Sequence, residues 1–77
     1  MKVRKYPELS VLKANMREKH ISYRGMANRI GMSYCTLSDK INGFYAMEIP
    51  EAEKIAIELN IYPSDLAKYF FPNMKTT

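Results

Sequence analysis

Seventy-seven residues leave room for one small domain and for no second autonomous core. Hydrophobic residues make up 47% and charged residues 26%, a globular composition, and 12 basic against 8 acidic side chains give a net charge of +4. One cysteine, Cys35, excludes an internal disulfide, and Cys35 with the single histidine, His20, cannot fill a four-ligand zinc site. No apolar run approaches the ~20 residues of a membrane span, and the opening MKVRKYPELS lacks the apolar stretch of a secretory signal, so a cytoplasmic protein without membrane contact is expected. An enzyme is not expected. The chain has little room for a buried pocket, nothing places His20 beside a nucleophile, and Gly25, Gly31 and Gly43 are not spaced as a phosphate-cradling loop. No cofactor, metal or small-molecule ligand is expected either.

Helical periodicity runs through the chain, and no stretch alternates convincingly with period 2. Pro7 suits the first turn of a first helix, where its missing N–H costs nothing. Leu9, Leu12 and Met16 then share one face, and the helix is predicted to stop near Lys19 or His20, with His20 in a capping role. Ser22 is a good N-cap for a second helix, in which Met26, Ala27 and Ile30 recur before Gly31 terminates it in the left-handed conformation. Ser33 caps a third, with Leu37 and Ile41 inward and Gly43 just beyond. Pro50 opens a fourth, with Ala52, Ile55, Ala56 and Leu59 inward, Glu51, Glu53, Lys54 and Glu58 facing water, and Asn60 at its end. Pro63 opens a short fifth, carrying Leu66 and Phe70 at i, i+4. The expected fold is all-α: five helices in a single domain over residues 1–77.

Charge is divided unevenly. Residues 1–43 carry nine basic and three acidic side chains, +6, whereas residues 44–77 carry three basic and five acidic, −2. A polyanion would meet the N-terminal half. A merely solvated basic surface gives the same count, so the motif must decide.

That motif is residues 22–43, SYRGMANRIGMSYCTLSDKING. Two short helices are separated only by Gly31, Met32 and Ser33. So tight a link forces a steep crossing, which needs a small residue at the contact, here Ala27, and a left-handed residue in the turn, here Gly31. Met26, Ile30, Met32 and Leu37 anchor the pair to a core. This is the helix-turn-helix pattern, whose second helix enters the DNA major groove.

From about Leu9 to Phe71 the chain resembles the phage repressor and Cro-type family, the lambda-repressor-like or XRE-type helix-turn-helix domains. Leu12, Ile21-Ser22, Met26-Ala27, Ile30-Gly31-Met32-Ser33, Thr36-Leu37-Ser38, Asn42-Gly43, Ile55, Leu59, Ile61 and Leu66 carry the resemblance, and TLSDKING is similar to segments of small phage-borne regulators. The resemblance implies five helices, homodimeric binding to a palindromic double-stranded DNA operator, and transcriptional control, usually repression, in a bacterial cytoplasm. Three positions depart from the family pattern. Many members pair an arginine of the first helix with a glutamate late in the recognition helix, where this chain has Met16 and Ile41, an apolar contact in place of an ion pair. Many place a phosphate-bonding glutamine where Tyr23 stands. Lys40 stands where a core leucine or isoleucine is common, leaving that core role to Ile41.

On the third helix Tyr34, Cys35, Ser38 and Asp39 lie opposite Leu37 and Ile41, at the end that enters the groove. They are the candidate base readers: Tyr34 for a thymine methyl or else a phosphate, Cys35 for an apolar contact, Ser38 for either base type and Asp39 for cytosine N4. Ser22, Tyr23, Arg24, Ser33, Lys40 and Asn42 are the candidate phosphate ligands, the serines also capping their helices. Arg29 reads as a solvated charge. The C-terminal cluster Tyr69, Phe70, Phe71 and Met74 is too apolar for one monomer. Phe70 is assigned to the core, and Tyr69, Phe71 and Met74 to a dimer interface. The rival reading is a small helical protein-interaction module, antitoxin-like or an adaptor, gripping a partner with this aromatic tail.

Overall fold

The computed structural model describes residues 3–71. Among them lie five α-helices, one 3-10 turn and no strand: α1 (Ser10–Glu18), α2 (Tyr23–Ile30), α3 (Tyr34–Asn42), α4 (Ile49–Leu59), the turn Pro63–Asp65, and α5 (Leu66–Phe70). The all-α, five-helix expectation stands.

Four successive helices end in the same way. His20, Gly31, Gly43 and Asn60 adopt left-handed φ of 59°, 72°, 92° and 56°. The next amide in each case reaches back to a carbonyl five residues earlier: Ile21 to Met16, Met32 to Ala27, Phe44 to Asp39 and Ile61 to Ala56, each at 2.9 Å. This is the Schellman arrangement, which satisfies the orphan carbonyls of a helix end and turns an apolar residue back onto the helix. The capping role expected of His20 is therefore a backbone one.

The starts are equally local. Ser22 Oγ accepts the Gly25 amide at 3.0 Å, and Ser33 Oγ accepts the Thr36 amide at 3.2 Å, so both serines cap as their positions promised. Helix α4 opens on Ile49 with Pro50 in its first turn, and Glu51 accepts the Glu48 amide at 3.0 Å.

The first helix differs from expectation. Pro7 lies before α1 rather than in its first turn, because the preceding backbone has other partners. The amides of Lys5 and Tyr6 both donate to the Gly43 carbonyl at 2.9 Å, and the Leu9 amide donates to the Ile41 carbonyl at 3.0 Å. Residues 5–9 thus serve the C-terminal end of α3, and the helix begins only at Ser10.

The core gathers Leu9, Leu12 and Met16 with Met26, Ala27, Ile30, Leu37, Ile41, Met47, Ala52, Ile55, Ala56, Leu59 and Phe70. Met16 and Ile41 are 1% and 0% exposed, so the two positions where the family often holds an ion pair are both inside this apolar cluster. Ala27 is buried on α2, which packs against both α3 and α4. At the far ends of α1 and α4, the Lys19 ammonium donates to the Leu59 carbonyl, complementing the negative end of α4.

One surface expectation needs correction. Glu51 does not face water. It is half-buried against Lys40 of α3. Tyr69 and Phe71 are partly buried on their own core, and the Asn15 amide donates to the Tyr69 hydroxyl at 3.3 Å. One monomer therefore absorbs more of the aromatic cluster than its composition suggested. Met74 lies outside the described residues.

Candidate nucleic-acid interface

Helices α2 and α3 pack against each other across the three-residue link Gly31–Ser33. Leu37 and Ile41 are fully buried, which fixes the rotation of α3 about its axis and turns the remainder of the helix outward. Tyr34, Cys35 and Thr36 are exposed in its first turn, and Ser38, Asp39, Lys40 and Asn42 are half-buried further along. The four candidate base readers thus lie on one helix, with Tyr34 and Cys35 the more exposed pair.

Ser33 and Thr36 are joined beyond the cap itself. The Ser33 hydroxyl donates to Thr36 Oγ1 at 2.7 Å while accepting the Thr36 amide. Arg24, in the first turn of α2, holds its guanidinium 4.8 Å from the Tyr34 ring centroid. Such a stack restrains the arginine while leaving its donors available. A base-reading candidate and a phosphate candidate are therefore in contact before any ligand arrives. Tyr23 is partly buried against the core, so its ring is structural whatever its hydroxyl does.

Asn42 is held from the opposite side. The Lys13 ammonium donates to Asn42 Oδ1 at 2.6 Å, and Asn42 Nδ2 donates to the Ser38 hydroxyl at 3.3 Å. Lys13 also pairs with Glu8. The hydrogen bond from Lys13, its charge, and more weakly that of Arg4, hold the Glu8 carboxyl below its ordinary range against a slight effect of burial. The chain Glu8–Lys13–Asn42–Ser38 thus links the N-terminal segment, α1 and α3. Lys40 lies on another side of α3, where its ammonium is engaged by both carboxylate oxygens of Glu51.

Three residues near this face are not among the candidate site residues of the sequence analysis. Thr36 lines, with Cys35, Asp39, Lys40, Tyr45, Ala46 and Glu48, an open groove of about 570 Å³ between α3 and the loop before α4. Tyr45 is exposed on that loop. Arg4 stands 5.7 Å from the Phe44 ring centroid, beside the end of α3. Arg4 carries a signal in the basic count of the N-terminal segment and Thr36 one in the family resemblance, whereas Tyr45 carries none. The position of Tyr45 depends on how the loop folds back.

A family model for the Cro/C1-type HTH DNA-binding domain matches residues 11–72. The chain belongs to that family. The match includes all of α2 and α3 and runs from the second residue of α1 through α5, so the Cro/C1-type assignment extends well beyond the two-helix motif. A comparison with curated proteins finds no match. As a Cro/C1-type HTH domain the protein is a DNA-binding regulator. Among the described residues no helix is long and apolar enough to cross a membrane.

Proposed function

We propose that this protein is a transcriptional repressor of the phage type, a single domain that binds a palindromic operator as a homodimer in the bacterial cytoplasm. The reading starts from the DNA-binding family and is supported most directly by the outward face of α3, where Arg24 stacks on Tyr34 within the half of the chain that carries +6. On this reading α3 lies in the major groove. Tyr34, Cys35, Ser38 and Asp39 meet base edges, while Ser22, Tyr23, Arg24, Ser33 and Asn42 hold phosphates. Two copies related by a two-fold axis read half-sites about one helical turn, ~34 Å, apart. Repression follows from occupancy, since an operator covered by the dimer is closed to polymerase, and no chemical step is involved.

The dimer surface follows from what remains exposed. With Tyr69 and Phe71 partly absorbed by the core, the two most exposed large apolar side chains among the described residues are Ile57 at 74% and Tyr62 at 75%. With Ala56, Asn60, Ile61 and Pro63 they line a shallow depression free of charged groups. A second copy meets no like-charge repulsion there, and Ile57 and Tyr62 join Tyr69 and Phe71 as the residues we assign to self-association.

The test of DNA binding is the salt dependence of affinity for duplex DNA. A linear fall of log K with log salt, at ~0.9 per phosphate neutralised, supports the reading. A protein that neither binds duplex DNA at about 50 mM salt nor is retained on heparin is an interaction module instead.

A further inference from the structure

Lys40 stands on α3 in the basic half of the chain, and charge counting alone makes it a phosphate ligand. Its surroundings argue otherwise. Both oxygens of Glu51 accept from its ammonium, and the two side chains are only 13% and 20% exposed. Glu51 is itself fixed from a second direction, because it accepts the Glu48 amide at 3.0 Å in the first turn of α4, where the helix dipole favours an anion. A carboxylate anchored by its own helix is a standing partner for Lys40. The pair lies beside the open groove that Lys40 lines with Cys35, Thr36 and Asp39, on the flank of the helix assigned to the DNA.

We infer that Glu51 sets the affinity of this protein for DNA by holding Lys40 as a tie between α3 and α4, so that its charge is withheld from the phosphate backbone. The inference rests on the docking of α3 onto DNA given above. A phosphate that took Lys40 would leave the Glu51 carboxylate unpaired, partly buried and close to the polyanion. Exchanging one anion for another in this way gains nothing in net charge pairing, so Lys40 adds no counterion release. Glu51 is in this sense a positioning residue, acting on DNA through Lys40.

The test compares affinity for one duplex between about 50 and about 200 mM salt for the wild type, Lys40→Met, Glu51→Gln, the double variant, and Glu53→Gln as an exposed control on the same helix. Glutamine at position 51 still accepts the Glu48 amide, as capping boxes use either residue, so α4 keeps its start. Expected are a wild-type slope for Lys40→Met and for Glu53→Gln, and a slope steeper by ~0.9 for Glu51→Gln, whose advantage over the wild type falls about 3.5-fold across that range. The double variant returns to the wild-type slope, which separates release of Lys40 from mere loss of a negative charge. A slope shallower by ~0.9 in Lys40→Met, or an unchanged slope in a folded Glu51→Gln, overturns the inference. If Glu51→Gln fails to fold, Lys40→Met decides alone. A wild type without salt-dependent DNA binding refutes the docking of α3, and this inference with it, whereas salt-dependent wild-type binding with a shallower Lys40→Met refutes only the role of Glu51.

Discussion

The amide of Tyr6 donates to the carbonyl of Gly43 at 2.9 Å, so the segment before α1 is hydrogen-bonded to the turn that ends α3. The contact is close: a Cβ on Gly43 would stand 2.2 Å from the Tyr6 carbonyl oxygen, at a φ of 92°. Gly31 has a similar φ of 72° with nothing within 4 Å of a Cβ. Gly31→Ala is therefore expected to cost only the left-handed strain of a non-glycine residue, ~1–2 kcal/mol. Gly43→Ala adds a displaced N-terminal segment and is expected to cost ~1 kcal/mol more, by thermal or denaturant unfolding. Hydrogen exchange at the Lys5 and Tyr6 amides should quicken in Gly43→Ala and stay unchanged in Gly31→Ala. Equal costs with unchanged exchange would contradict the tie.

Met16 and Ile41 are both fully buried in one apolar cluster, and the family resemblance predicts that they face each other. Met16→Arg alone buries a charge without a partner and should destabilise by ~3–5 kcal/mol. Adding Ile41→Glu should recover part of that loss, because the new carboxylate supplies the missing partner. Unfolding of the wild type, both single variants and the double variant measures the coupling. A neutral Met16→Arg, or a double variant no better than the sum of the singles, counts against the shared site.

Glu51 also links folding to pH. Burial pushes its carboxyl up, but the Lys40 hydrogen bond, the Glu48 amide and the charges of Lys40 and Lys54 together hold it below the usual carboxylate range. The fold thus favours the ionised form. The stabilisation is complete above the ordinary glutamate value of about 4.3 and is lost as pH falls through the depressed folded-state value. Unfolding followed downward from neutral pH should show a loss that is smaller in Glu51→Gln. Superimposable pH profiles for the two proteins would remove this linkage.

Self-association is expected to depend on Ile57 and Tyr62. Ile57→Glu places like charges opposite each other across a two-fold contact while leaving the buried face of α4 intact. Sedimentation at micromolar concentration should show dimers for the wild type and monomers for Ile57→Glu. Truncation at Lys68 would be a poor substitute, because it removes the buried Phe70. A dimeric Ile57→Glu excludes this surface.

Much of the fold was legible because its signals are local. Ser22, Ser33, Gly31, Gly43 and Asn60 mark helix ends through their own backbone and side-chain chemistry, and the structure uses each as a cap or a left-handed terminator. The inward faces of α3 and α4 followed from spacing alone. What escaped depends on partners distant in sequence. Local preference suits Pro7 to a helix start because it carries no information about the bond from the Leu9 amide to Ile41. Spacing within α4 points Glu51 to water because it says nothing about Lys40 eleven residues earlier. On α3, the positions opposite Leu37 were readable, whereas the Arg24–Tyr34 stack and the Lys13–Asn42–Ser38 chain required coordinates.

The central claim is that α3 reads DNA sequence, and binding-site selection from random duplexes tests it most directly. Wild type, Tyr34→Ala, Cys35→Ala, Ser38→Ala and Asp39→Ala are each taken through selection, with Arg24→Ala as a phosphate-contact control. The wild type should return a palindrome with half-sites about 34 Å apart. Changing a base contact should cost ~1–3 kcal/mol and relax preference at one position per half-site, with Asp39→Ala relaxing a cytosine. Arg24→Ala should weaken every sequence alike and flatten the salt slope by ~1. If all four α3 variants return the wild-type operator unchanged, this helix is not the reader.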